Sequence, residues 1–259
     1  MEPIRSPSNP LIKRIRAVEA GRAAGTILIE GEKLLAEAVR AGLDLEAVVL
    51  PAAGAERAER WERDGLAVRV VADSLFERLG SLKTPAGLLA LAPEPPPRDL
   101  EDLGRDGGLL CVAAEVQDPG NLGALARTAE AAGARGLIVC GGGCRPFQSK
   151  ALRGSMGSLF RLPVAIHGES GDLADRLDGL RFRQVTARTR AGNDYRHFDW
   201  SGRVALWLSG ETGRGVPPAG VMGELEGITI PMLGEVESLN VTAAAAVLLF
   251  EAMGQRNRR

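Results

Sequence analysis

Residues 93–98 read Pro-Glu-Pro-Pro-Pro-Arg, and this stretch limits what the chain can fold into more than any other. Each proline fixes φ and removes a backbone donor, so the run favours an extended polyproline conformation that neither a helix nor a sheet can absorb. A folding unit is expected on either side of it. At 259 residues the chain is long enough for both, because single cores stop growing at about 250–300 residues. The expected division is 1–92 for a first domain, 93–106 for the linker and 107–259 for a second domain.

Before the linker, short apolar runs at 26–30, 47–50, 67–71 and 87–91 read as strands, separated by helical patterns at 32–41, 55–64 and 74–79. That alternation predicts a small α/β sandwich. Ahead of it, Ser8-Asn9-Pro10 offers a cap and a proline at the first helical position, which opens a basic helix over 11–22 carrying Lys13, Arg14 and Arg16. After the linker, the runs at 109–113, 137–140, 163–166, 184–187, 204–209 and 228–231 are apolar without strict alternation. Strands of that kind belong in a parallel sheet covered on both faces. Residues 241–253 are apolar almost all round, which predicts a helix buried against the sheet or against a second subunit. The fold class is α/β in both halves.

Composition removes several classes of function. The apolar run at 241–250 falls far short of the roughly 20 residues needed to cross a bilayer. The first seven residues lack the apolar segment of a secretion signal, so a cytoplasmic protein with no membrane partner is expected. Cys111, Cys140 and Cys144 form no C-x-x-C pair and only His167 and His197 could join them, so neither a disulfide framework nor a metal site is expected. A net charge of −1 argues against nucleic-acid binding through the overall field. Locally the balance differs. No acidic residue lies between Glu130 and Glu169, while Arg135, Arg145, Lys150, Arg153 and Arg161 are all basic. A second cluster, Arg181, Arg183, Arg188, Arg190, Arg196 and Arg203, surrounds Tyr195, His197 and Trp200. Each cluster reads equally as an anion-facing surface or as a solvated face.

In an open parallel sheet ligands bind at loops leaving the carboxyl ends of strands. Three such loops carry polar residues. In Asp118-Pro119-Gly120-Asn121, proline and glycine suit a type II turn and Asn121 falls at the cap of a helix bearing Arg127. Gly210-Glu211-Thr212-Gly213-Arg214-Gly215 combines backbone freedom with one carboxylate, and Glu237-Ser238-Leu239-Asn240 holds two good caps before the last helix. Taken singly, each is also an ordinary cap or turn. Gly141-Gly142-Gly143 follows a strand, but Pro146 stands where the last glycine of G-x-G-x-x-G belongs, and neither a P-loop nor a G-x-S-x-G elbow occurs.

In order, the three loops resemble a family. Val116-Gln117-Asp118-Pro119-Gly120-Asn121-Leu122-Gly123 through Arg127-Thr128-Ala129 is similar to the first motif of the SpoU (TrmH) RNA ribose 2′-O-methyltransferases of the SPOUT superfamily. Leu206 to Gly215 resembles its second motif, Ile230-Pro231-Met232 through Glu237-Ser238-Leu239-Asn240-Val241-Thr242 its third, and Lys150 to Val164 its intervening segment. Before the linker, Asn9-Pro10-Leu11-Ile12-Lys13 and Ile29 to Leu35 resemble the family's N-terminal RNA-binding domain. The resemblance implies a trefoil-knotted second domain, S-adenosylmethionine as cofactor, no metal, a homodimer and methyl transfer to a ribose 2′-hydroxyl.

By motif position it also implies cofactor contacts from Gly210, Ile230, Met232, Leu239 and Val241, and catalytic roles for Asn121, Arg127, Glu211, Ser238 and Asn240. A guanidinium hardly ever gives up its proton, so Arg127 is expected to act as a fixed cation that stabilises the developing alkoxide. Asn121 and Asn240 would orient Arg127 and the cofactor loop, Ser238 would position the ribose or cap the last helix, and Glu211 would bond backbone amides of the knot. An N-terminal domain of this kind favours rRNA over tRNA as partner. The alternatives are a tRNA 2′-O-methyltransferase, a catalytically silent RNA-binding protein of the same fold and, third, a small-molecule nucleotide enzyme.

Overall fold

The computed structural model describes residues 2–81, 87–210 and 225–258. In chain order the elements are α1 Pro10–Glu19, β1 Thr26–Glu30, α2 Glu32–Arg40, β2 Ala47–Pro51, a 3₁₀ turn at Ala52–Arg57 running into α3 Ala58–Arg63, β3 Val68–Val71, α4 Asp73–Phe76 and β4 Leu89–Pro93. They continue as α5 Leu100–Gly104, β5 Leu109–Ala114, α6 Pro119–Ala131, β6 Gly136–Cys140, α7 Ser149–Ser155, α8 Ser158–Arg161, β7 Val164–His167, α9 Ser170–Gly179, β8 Arg183–Arg188, β9 Asn193–Asp194, β10 Val204–Ser209, β11 Glu226–Thr229 and α10 Val241–Asn257.

These elements form two compact units, one of residues 1–96 with 147–160, the other of 97–146 with 161–259. The first holds a mixed four-stranded sheet in the order β1-β4-β2-β3. Asn9 caps α1 by accepting from the Leu11 amide at 2.9 Å, Pro10 occupies the first helical position, and Ile12 and Ile15 are buried beneath the helix. The segment from Phe147 joins this unit from beyond the proline run. Ser149 Oγ in α7 donates to the Leu28 carbonyl of β1 at 3.2 Å, and Arg153 Nη1 reaches Glu30 Oε1 and Ser81 Oγ, each at 2.7 Å. The Glu30 side chain is 1% exposed, so this carboxylate is buried with its charge paired and hydrogen-bonded, as a buried ion must be.

The second unit is built on a seven-stranded sheet in the order β7-β6-β5-β10-β8-β11-β9, with every pair parallel. All six residues of β5 are buried, as are five of the six in β10, which is why these runs show no polar alternation. Helix α10 packs on α6 and β10, burying Ala245, Leu248, Leu249 and Ala252, while Phe250 stays exposed. The chain leaves β5 toward β6 on one side, and β10, with β8 beyond it, lies on the other. The sheet therefore has its switch point between β5 and β10. Crevices outside the carboxyl ends at such a point are where open α/β sheets hold ligands.

Candidate active site

A cavity of about 750 Å3 opens at that switch point. Register explains its floor. Ser209 pairs with Ala114, so the next residues along, Gly210 and Glu115, lie side by side as the two strands end. The Gly210 amide donates to the Ala114 carbonyl at 3.1 Å, and a Cβ on Gly210 would stand 2.6 Å from the Glu115 carbonyl oxygen. Glycine is the residue that this approach permits. Glu115 itself adopts φ +51°, a left-handed conformation uncommon for a side-chain-bearing residue. The Gly141-Gly142-Gly143 turn packs against this corner: a Cβ on Gly141 would meet the Glu115 Cγ at 2.9 Å, and one on Gly143 the Val116 carbonyl at 3.0 Å. Close packing accounts for Gly141 and Gly143, and a φ of +75° for Gly142, without a phosphate.

One wall continues into α6. Asp118, and not Asn121, is the N-cap: its Oδ1 accepts from the Asn121 amide at 2.9 Å, with Pro119 at the first helical position. The sequence expectation placed the cap three residues late because it read Pro119-Gly120 as a turn, whereas proline is equally suited to opening a helix. Asn121 thereby sits in the first turn and lines the cavity. The opposite wall comes from Ile228 in β11 and the chain that follows, with Ile230, Met232, Ser238, Leu239, Asn240 and Val241. Asn240 caps α10, its Oδ1 accepting from the Thr242 amide at 2.9 Å and from the Thr242 hydroxyl at 2.5 Å. Ser238 lines the cavity and is not the cap.

The cavity thus gathers Gly210, Ile230, Met232, Leu239 and Val241 with Asn121, Ser238 and Asn240. Arg127 is not among its lining residues and lies on the exposed face of α6. Six residues beyond Asn121, it is about 9 Å farther along the helix and turned about 240° around it. Glu211 lies outside the described residues, as does most of the glycine-rich loop. Glu115, Arg188 and Thr189 also line the cavity and were not singled out for it from the sequence. Their signal was position alone: Glu115 follows β5 directly, and Arg188 ends β8.

The two basic clusters are redistributed by the fold. Arg161 forms a two-pronged pair with Glu130 at 2.6 and 3.0 Å, and Arg153 is spent on Glu30. Arg196 clasps Asp194, whose carboxyl is held far below its usual range first by that hydrogen bond. Trp200 is fully buried, edge-on to Phe198 at 4.8 Å between ring centres, so it belongs to the core and not to a stacking surface. Burial pushes the Cys111 thiol up to about 12 and, with the charge of Glu115 added, the Cys140 thiol likewise. Neither thiol is a nucleophile at neutral pH. Among the described residues no cluster of His, Cys, Asp or Glu is placed to hold a metal, and no helix is long and apolar enough to cross a membrane.

A wholly parallel sheet, preceded by a small mixed-sheet unit, defines a two-part α/β protein with its cavity at the switch point, where such sheets hold ligands. The family can be stated more closely. Residues 108–250 match the SpoU rRNA methylase family and residues 9–90 match an MRM3-like substrate binding domain. A 23S rRNA (guanosine(2553)-2′-O)-methyltransferase, RlmP of Bacillus subtilis (strain 168), is 30% identical over 98% of this chain and 100% of its own. The AdoMet-bound rRNA methyltransferase from Sinorhizobium meliloti superimposes with a TM-score of 0.81 at 26% identity, over 97% of each chain. The SpoU methyltransferase AviRb from Streptomyces viridochromogenes in complex with AdoMet also gives 0.81 at 26% identity, over 97% of this chain and 100% of that one. The chain belongs to the SpoU rRNA methylase family.

Proposed function

We propose that this protein transfers the methyl group of S-adenosylmethionine to a ribose 2′-hydroxyl of ribosomal RNA. The observation that carries the reading is the convergence of three separate chain segments, 115–121, 208–210 and 228–244, on one cavity at the sheet's switch point. Their chemistry fits the cofactor. Ile228, Ile230, Met232 and Leu239 supply apolar walls, and Gly210 lets the ends of β5 and β10 meet closely at the floor. A volume of about 750 Å3 is within the usual range for cofactor sites. Bound there, S-adenosylmethionine supplies an electrophilic methyl group on a sulfonium.

The chain's own part is to align the acceptor and to stabilise charge. Apolar side chains exclude water from the transfer path, and most of the rate comes from positioning. Asn121 and Ser238 offer side-chain hydrogen bonds at the cavity, and Asn240 fixes the start of α10. Arg127 is exposed and forms no ion pair among the described residues, so its charge is available to RNA lying along α6. Because Arg127 does not line its own chain's cavity, it would stabilise the developing alkoxide and hold the neighbouring phosphate only in a dimer that brings it to the partner's cavity, while the proton leaves to phosphate or water. Glu211 retains its proposed role in organising the loop after β10. A trefoil knot is part of the same reading.

The first unit supports rRNA over tRNA, because it corresponds to a substrate binding domain and the RlmP relative spans the whole chain with it. Dimerisation through α10 would cover Phe250, which is 45% exposed. The protein would work in the cytoplasm, where rRNA is available. The catalytically silent alternative is disfavoured by the presence of Asn121, Ser238 and Asn240 on one cavity.

Incubating the protein with labelled S-adenosylmethionine and protein-free rRNA, without added metal, should give a 2′-O-methyl nucleotide on mass spectrometry of the digest. A methyl group on a base, or none, overturns the reading. Arg127→Ala should cost about a hundredfold or more in single-turnover rate. Arg127→Lys keeps the cation without the fork and should retain part of that rate. A lysine variant that overtook the native rate as pH rose toward 10 would show a titrating base instead.

A further inference from the structure

At the opposite end of the seven-stranded sheet, where the strands begin, a second depression of about 450 Å3 is lined by Arg135, Arg203 and Arg256 together with Gly107, Gly108 and Gly202. The fold gathers these residues from distant sequence. Arg135 immediately precedes β6, Arg203 immediately precedes β10, and Arg256 lies in the last turn of α10. Their side chains lie close against glycine backbone. A Cβ on Gly108 would stand 2.8 Å from the Arg135 Cγ, and one on Gly107 would stand 3.1 Å from the Arg203 Cγ.

Two of the three guanidiniums are held in place by main-chain carbonyls. Arg203 Nη1 donates to Gly104 at 2.7 Å and to Leu180 at 3.1 Å, and Arg256 donates to Trp200 at 2.5 Å and to Gly202 at 2.9 Å. A carbonyl satisfies a donor but does not cancel the charge. Among the described residues none of the three pairs with a carboxylate, and Asp106 is the one acid on the rim. The mutual repulsion is felt: Arg256 is pushed below its ordinary range by burial first and then by the charges of Arg135 and Arg183. Two arginines held by carbonyls and a third with its donors free, with Asp106 the single acid beside them, suit a phosphate, which guanidinium forks bind in two-pronged fashion. Leu109 is the one apolar side chain in the lining, so nothing there would hold a base or a sugar ring.

We infer that this depression binds a backbone phosphodiester of the RNA substrate, at a point about 20 Å from the cofactor cavity, the length of the six-residue strand β5 that separates them. The site rests on the reading of the protein as an RNA-modifying enzyme. It adds a second contact on the catalytic unit itself, remote from the reacting nucleotide, so that the unit reads an extended RNA and not a single exposed loop. A contact of this kind raises affinity without carrying sequence information.

Arg135 is the position at which to test it, because the side chain is exposed and none of its guanidinium nitrogens makes a hydrogen bond among the described residues. Arg135→Glu should raise the KM for methylation of protein-free rRNA about fivefold or more and leave kcat at saturating RNA unchanged. The slope of log Kd against log salt should fall by about 1, the signature of one lost phosphate contact. Arg135→Lys should lie near the native values. Thermal melting and S-adenosylmethionine affinity, both unchanged in these variants, exclude misfolding as the cause. An unaltered KM and salt slope in Arg135→Glu would overturn the inference. So would saturable binding of inorganic phosphate at this end, at constant ionic strength, with no effect of Arg135→Glu on RNA, since the occupant would then be the free ion. If the native protein methylated no RNA at all, the functional reading would fall first, and that result is distinguishable because it needs no variant.

Discussion

The two walls of the cavity at the switch point are made differently. On one side Glu115, Asn121 and Gly210 are placed by β5, β10 and α6, elements whose neighbours are buried and whose register is set by six consecutive strand pairs. On the other side residues 230–240 carry Met232, Ser238 and Leu239 with little packed around them: Leu233 is 97% exposed, Val236 57% and Leu239 40%. Apolar side chains left in water gain when a ligand or partner covers them, at about 25 cal/mol per Å2. The first wall therefore dictates where a ligand can sit. The second leaves apolar side chains open for a ligand or partner to cover.

Gly210→Ala attacks the rigid wall and should have the largest effect. With a carbonyl oxygen 2.6 Å from the new Cβ, one strand end must move. A loss of about 2 kcal/mol in stability is expected, with S-adenosylmethionine affinity down more than tenfold by calorimetry. Native-like binding by this variant would mean that the two walls do not differ. Leu239→Ser attacks the open wall. Because Leu239 is 40% exposed, the melting temperature should stay within about 2 °C of native, while cofactor affinity falls about tenfold. Destabilisation in step with affinity would show that this wall is packed after all.

Asn240→Ala removes the cap of α10 and should cost about 1 kcal/mol in denaturant unfolding, most of it recovered by Asn240→Asp. Glu115→Gly relieves a left-handed φ of +51°, and a gain of up to about 1 kcal/mol is expected. A loss there would show that the Glu115 side chain, against Gly141, is worth more than the strain it brings.

Legibility in the sequence followed the same division. The apolar runs of β5, β6 and β10 announced a buried parallel sheet because both of their faces are covered, and the loops after them were legible because such sheets present ligands at one end. Ile230, Met232, Ser238, Leu239, Asn240 and Val241 were found through the motif resemblance, since a largely exposed segment carries no periodic signal. Contacts between distant segments were not legible. Nothing local in Arg153 distinguishes it from Arg135, yet one neutralises the buried Glu30 and the other stands exposed at the foot of the sheet. Trp200 lies among arginines in the sequence, whereas in the fold its indole is buried and donates to the Tyr195 carbonyl. Arg127 shares a motif with Asn121, but helical geometry turns the two apart.

The route of α7 has a consequence for how the protein is made. The first compact unit takes in residues 147–160, so a chain growing from its N-terminus has finished β1 to β4 well before that unit can close. Residues 97–146, all part of the other unit, are synthesised in between, an interval of roughly 3 to 10 s at ordinary translation rates. During that time Glu30 has no Arg153 to meet it and the face of β1 that α7 covers stays open. The two units therefore mature interleaved and not one after the other, and the nascent chain is most exposed to misfolding or to a chaperone while its proline run is already complete.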